Sequence, residues 1–243
     1  MDLAIITENG STGNELKTTI RAIEKEITQG LSEIIVDGVT SKGSRFRKSV
    51  FKYEPTEKGN ANNKLIVEVN SFANPFPYAP LTIGSFVFDF LNEVGNEKYI
   101  GEYGLHPFKI NVLSIEQTLL EKIVSLIRFS FDVHFIERIS SRVRHFYDLY
   151  FLANHVDCKE FISSKAFKTQ FDAILNHDRV LFDQPIGWRV KTVAESPLIT
   201  DFETVWNRIE AKYQSELSAL AYRSIPNEEA VSHTFIKLSK RIL

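Results

Sequence analysis

Residues 108–129 read FKINVLSIEQTLLEKIVSLIRF, and within them the chain changes its period. FKINVL reads as a strand. Ser114 closes it, and with Gln117 it makes the S-x-x-Q box that opens a helix. Beyond the box, Leu119, Leu120, Ile123, Val124 and Ile127 recur as one broad apolar face. The chain therefore divides near residue 114, with sheet before it and helices after it.

Working outward towards the N-terminus, DLAII (2–6) reads as a strand that breaks at the turn-rich TENGSTGN (7–14). Leu16, Ile20, Ile23 and Ile27 then follow helical spacing, with Asn14 placed to cap the start and Gly30 to end it. EIIV (33–36), FRKSVFKY (46–53) and KLIVEVN (64–70) read as strands separated by the polar stretches SKGS and EPTEKGNANN, the last two strands forming a hairpin. In KLIVEVN, Leu65, Val67 and Val69 share one face and Ile66, Glu68 and Asn70 the other. A loop through Pro75, Pro77 and Pro80 leads to SFVFDFL (85–91), which also reads as a strand. Downstream, helices are expected over 142–154 and through EFISSKAFKTQFDAIL (160–175). Another is expected after a Thr200–Glu203 capping box, and a last one opened by Pro226 and Asn227. The expectation is an α+β chain, with a small mixed sheet over 1–113 and a helical region over 114–243 that completes the site.

Composition narrows the function classes. The chain has 243 residues, with 29 Lys+Arg against 31 Asp+Glu, so bulk charge does not advertise a polyanion-binding surface. RFRK (45–48) and KLSKR (237–241) are local basic patches that a solvated face explains. Cys158 is the only cysteine, which excludes an intramolecular disulfide and a multi-cysteine zinc site and fits the reducing cytoplasm. Cys158 itself reads as a packing residue. The most apolar stretch, LTIGSFVFDFL, carries Asp89 and is too short to span a membrane. There is no G-x-x-x-x-G-K-(S/T) loop, no G-x-S-x-G and no H-E-x-x-H, so P-loop, serine-hydrolase and catalytic-zinc readings lack support.

Asp2, Glu68, Lys122, Arg142, Arg144 and Asp148 are the ionisable residues with a chemical reading. Each has a plainer one: Glu68 on a wet sheet face, Lys122 snorkelling beside an apolar stripe, Arg144 and Asp148 pairing one turn apart on a helix. Together they suit nucleotidyl transfer. Carboxylates on adjacent strands share hard divalent cations, and Lys and Arg on flanking helices neutralise a triphosphate for in-line displacement with two metal ions.

RVRHFYDLYFL (142–152), joined to LSIEQTLLEKIVSLIRF (113–129), resembles the nucleotidyltransferase AbiEii/AbiGii toxin family of type IV toxin–antitoxin and abortive-infection systems. DLAII, KLIVEVN, GWRVKTVAESPLITDFETVWNRI (187–209) and LSALAYRSIPNEEAVSHTFIKL (217–238) extend the resemblance along the chain. It implies a polymerase-β-type nucleotidyltransferase fold followed by a helical region. Asp2 matches the second acid of a D-x-D strand and Glu68 a third acid, both metal ligands. Lys122 matches a lysine expected to contact nucleotide phosphates, Asp148 its acidic partner, and Arg142 and Arg144 the basic stretch before it. The resemblance implies Mg2+ (or Mn2+), an NTP substrate, an acceptor such as a tRNA 3′ end, and an AbiEi-type antitoxin encoded nearby. It also places a G-G-(S/T) loop and the first acid of D-x-D ahead of Asp2, and the chain carries neither. The expectation is an N-terminally truncated fold with impaired transfer and exposed apolar surface. The alternative is a non-catalytic remnant that binds an antitoxin or a nucleic acid.

Overall fold

The structure, a computed structural model, describes residues 2–5, 13–54, 63–71, 77–221 and 224–243. Most of the turn expected at 7–14, most of the separator 54–63, and Pro75 lie outside them. The chain divides into two compact units, Met1–Pro75 and Phe76–Leu243.

The first unit is a mixed sheet with one helix. Its strands are β1 (Asp2–Ala4), β2 (Ser32–Ile34), β3 (Ser41–Lys42), β4 (Phe46–Lys52) and β5 (Lys64–Asn70), and its helix is α1 (Gly13–Ile27). The order is β1-β5-β4-β2, with β3 also on β4. Only β1 and β5 run parallel, and β4–β5 is the antiparallel pair expected from the sequence. Strand β3 falls in SKGS, which reads in sequence as a mere separator. Val67 and Val69 are buried with Ile20 and Phe51, and Leu3, Leu31 and Leu65 pack on them, so one face of KLIVEVN is the core face. Gly30 ends α1 at φ 81°, a backbone region that suits glycine. Asn14 is not the cap, because α1 already includes Gly13.

Arg47 and Ser49 share the core-facing side of β4 and meet Glu24 of α1. Arg47 Nε donates to Glu24 Oε2 at 2.8 Å, and the Ser49 hydroxyl donates to Glu24 Oε1. Lys42 Nζ reaches Ser49 Oγ at 2.6 Å and Glu24 Oε1 at 3.2 Å, and also pairs with Glu33. Glu24, Arg47 and Ser49 are all buried, so a closed polar cluster helps tie α1 to the sheet.

The second unit opens with a two-stranded ribbon, β6 (Tyr78–Ile83) and β7 (Phe108–Leu113), paired antiparallel. Between them lie α2 (Phe86–Glu93) and α3 (Glu97–Glu102). SFVFDFL is therefore a helix rather than the expected strand. Its apolar residues occur at both parities, so no wet face alternates with a dry one, and Ser85 Oγ accepts the Phe88 N–H at 3.0 Å to start a turn. The strand lies just upstream, in YAPLTI, where Pro80 is tolerated because the ribbon has only two strands.

The helical region comprises α4 (Ile115–Phe129), α5 (Phe135–Ser140), α6 (Arg144–Asn154), α7 (Val156–Ser163), α8 (Ala166–Leu181), α9 (Pro197–Thr200), α10 (Phe202–Leu220) and α11 (Glu228–Ile242). Ser114 Oγ accepts the Gln117 N–H at 3.1 Å, and the α4 residues Leu119, Leu120, Ile123, Val124, Leu126 and Ile127 are buried. Phe146 of α6 meets Trp206 of α10 edge-on at 5.3 Å and Phe235 of α11 at 5.1 Å, an aromatic centre that fixes three helices. Cys158 is fully buried, as a packing residue should be. Two expectations change here. The helix through EFISSKAFKTQFDAIL breaks at Ser164, whose hydroxyl bonds back to the Phe161 carbonyl at 2.7 Å. Thr200 does not cap α10 either, because its hydroxyl is taken by the Ser196 carbonyl in the preceding turn α9. The N-terminus of α11 is as expected, with Asn227 Oδ1 accepting the Ala230 N–H at 2.7 Å. Among the described residues no helix is long and apolar enough to cross a membrane.

Candidate active site

The six singled-out residues fall in both units. In the first, the parallel register sets Asp2 of β1 opposite Glu68 of β5, and the antiparallel register sets Glu68 opposite Lys48 of β4. Lys48 Nζ lies 2.5 Å from Glu68 Oε1, with both side chains about 30% exposed. The register thus sets two acid positions side by side on neighbouring strands. Carboxylates are the donors that a hard divalent cation takes, and Mg2+ is commonly held by one or two of them together with water and substrate phosphate. The pair fits such an ion by donor type, and Glu68 would exchange Lys48 for it. Among the described residues no three of His, Cys, Asp and Glu gather as a larger ligand set.

In the second unit, α4 and α6 lie side by side. Lys122 projects from the edge of the buried α4 stripe, and its Nζ meets Asp148 Oδ2 of α6 at 2.6 Å, with the two side chains 22% and 34% exposed. Residues 26 positions apart are joined here. The expected pairing of Arg144 with Asp148 does not form: Arg144 is exposed at the first position of α6, and the Asp148 carboxylate faces the neighbouring helix instead. Arg142 lies in the turn before α6. Its guanidinium carbon sits 3.4 Å from the centre of the Phe129 ring. Its Nη1 donates to the Arg138 carbonyl and to Ser141 Oγ, each at 3.0 Å. Burial, then the charges of Arg128 and Arg138, bring its pKa down to about 10.

His145 is not among the residues singled out from the sequence. It is half-buried on α6, and burial, then the positive charges of Lys122, Arg142 and Arg144, push its pKa down to about 3. The imidazole is therefore neutral at physiological pH. Its signal was present in the sequence as a histidine between two arginines and an aspartate. Glu121, one residue before Lys122, has its carboxyl raised by burial, while its Oε1 accepts from Gln117 Nε2 at 2.8 Å.

A small acid-bearing mixed sheet, followed by helices that present a lysine–aspartate pair within a cationic surround, has the makings of a nucleotidyltransferase. The chain belongs to the AbiEii family: the family model for the nucleotidyl transferase AbiEii toxin of type IV toxin–antitoxin systems matches residues 1–230. No curated protein and no solved structure matches it. At the level of the family the chain is a nucleotidyltransferase toxin, with an NTP as substrate and an antitoxin as counterpart.

Proposed function

We propose that this chain transfers a nucleotide from an NTP to an acceptor such as the 3′ end of a tRNA. The observation that carries this reading is the Lys122–Asp148 contact, which fixes a partly exposed ammonium within a cationic surround where a polyphosphate is best received. Lys122 contacts the nucleotide phosphates, Asp148 orients Lys122, and Arg142 and Arg144 add positive charge. Asp2 and Glu68 would hold Mg2+ or Mn2+, which would supply positive charge to the triphosphate and the leaving pyrophosphate. The acceptor oxygen forms a bond to the α-phosphorus as the bond to the bridging oxygen breaks. An AbiEi-type antitoxin encoded nearby opposes the activity, which takes place in the cytoplasm.

The test is incorporation of labelled NTP into total tRNA with Mg2+, run on this 243-residue chain and on a form extended through the reading frame upstream of Met1. Label in the tRNA that disappears with both Lys122→Ala and Asp148→Asn is the expected result. Unchanged incorporation in both variants removes them from the site. Folded protein that labels no tRNA in either form, yet still binds nucleic acid or the antitoxin, moves the weight to a binding role.

A further inference from the structure

The cations around α4 and α6 are not equally available to a ligand. Lys122 is neutralised by Asp148 at 2.6 Å. Arg128 is neutralised by Asp178, with Nη1 3.1 Å from Oδ2, and lies 3.9 Å from the Phe182 ring centre. Arg138 is neutralised by Asp132, Nε to Oδ2 at 3.1 Å. Arg142 has no ion pair among the described residues. Both of its hydrogen bonds leave from Nη1 and end on neutral oxygens, so Nε and Nη2 keep their N–H groups for a ligand. The Phe129 ring packs against it from one side, and Arg128 lies 4.8 Å from the centre of the same ring.

A half-buried guanidinium with like charges beside it and only neutral acceptors is electrostatically unfavourable by itself. The lowered proton affinity of Arg142 has the same origin, burial first and then the nearby Arg128 and Arg138 charges, which the Asp132 carboxylate, paired with Arg138, only partly offsets. What the arrangement gains is a planar fork held in place before an anion arrives, so that little side-chain entropy is lost on binding. We propose that Phe129 is a positioning residue that holds Arg142 as the main polyphosphate fork of this site, with Lys122 contributing less. The identity of the anion as the tail of a nucleotide rests on the nucleotidyltransferase reading, whereas the fork itself rests on the stacking and on the unbalanced charge.

The experiment is calorimetric binding of inorganic tripolyphosphate to the whole chain at fixed ionic strength, with melting temperatures recorded for every variant. Arg142→Gln is expected to weaken binding by about 10- to 100-fold, the range for losing a charge-assisted hydrogen-bonding partner. Phe129→Leu is expected to weaken it by about 3- to 10-fold, the range for a partly desolvated cation–π contact, and Phe129→Tyr to retain it. Lys122→Met should cost less than Arg142→Gln. If Phe129→Leu fails to fold, Arg142→Lys replaces it, since a lysine keeps the charge and loses the flat fork, and weakened binding is again expected. Wild-type affinity in Arg142→Gln, in Arg142→Lys or in a folded Phe129→Leu overturns the proposal, as does equal weakening by Phe129→Tyr and Phe129→Leu. The labelled-NTP assay on the same variants separates the two levels. Tripolyphosphate binding in the expected order without nucleotide transfer leaves the fork standing and removes the enzymatic reading. Full transfer at a wild-type KM for NTP in Arg142→Gln overturns the fork alone.

Discussion

The polar cluster of the first unit and that of the second are built on opposite rules. Around Glu24, the carboxylate receives Arg47, Ser49 and Lys42, and Lys42 also pairs with Glu33, so two carboxylates meet two cations, with Glu24, Arg47 and Ser49 buried. Around α4 and α6, the Lys122–Asp148 pair is a fifth to a third exposed, while Arg142 and Arg144 carry positive charge with no carboxylate bonded to them among the described residues. Burying an ion is costly unless its partner and hydrogen bonds come with it. A cluster that serves folding must therefore balance, and one that awaits an anion must not. Charge balance, more than charge content, separates the two.

The sharpest way to break this comparison is at Glu24. Glu24→Ala leaves the Arg47 guanidinium buried without its carboxylate and should cost about 3–5 kcal/mol. Urea unfolding followed by a probe in the sheet is the measurement. Replacing Glu24 and Arg47 together by Met should recover most of that loss, since two apolar side chains of similar size leave no stranded charge. A loss below about 1 kcal/mol in the single variant would put the cluster among ordinary surface pairs.

His145 gives the next effect. Its folded pKa is about 3, against about 6.5 in an unfolded chain. Between those values the unfolded chain binds more protons than the folded one, so stability is present above about pH 6.5 and is lost as pH falls towards 3. The slope should reach at most about 1.4 kcal/mol per pH unit. His145→Gln should flatten it in melting curves taken from pH 7 to 4. An unchanged slope would show that the ring stays hydrated and does not feel the three cations.

These clusters also mark where the sequence was readable. Long regular stretches were, because one period repeats several times: α4 with its Ser114 cap, the alternating faces of KLIVEVN, and the Asn227 start of α11 all lie as the residues suggest. Short apolar runs were not. SFVFDFL has no dominant period, so one hydroxyl bond from Ser85 decides for a helix, and the strand moves to the proline-bearing stretch beside it. Partner choice was the least legible feature. Local spacing offers Asp148 an arginine four residues away, whereas helix packing delivers Lys122 from 26 residues away. Nothing near Glu24 in sequence announces that Lys42, Arg47 and Ser49 will converge on it, because that depends on the sheet register. The resemblance, not the spacing, named Lys122 and Asp148 together.

The Lys122–Asp148 contact itself should matter little to stability. A half-exposed pair contributes up to about 1 kcal/mol, so Asp148→Asn and Lys122→Met should melt close to the parent while losing transfer. A thermal shift as large as that of Glu24→Ala would move this pair to the folding side of the comparison.

The smallest expected effect belongs to Arg144, and it tests the comparison most finely. Helical spacing alone assigns its charge to Asp148, in which case that one carboxylate would be divided between two cations instead of being committed to Lys122. Double-mutant cycles on chemical unfolding decide between the two partners. The Lys122–Asp148 cycle should give a coupling of about 0.5–1 kcal/mol, and the Arg144–Asp148 cycle a value indistinguishable from zero, with Arg144→Gln itself changing stability by less than about 0.5 kcal/mol. A carboxylate whose orientation is fixed by a neighbouring helix has little interaction left for a solvated guanidinium one turn back. If the Arg144 coupling instead equals that of Lys122, Asp148 is shared, and Lys122 and Arg144 each keep part of their charge for a phosphate beside Arg142.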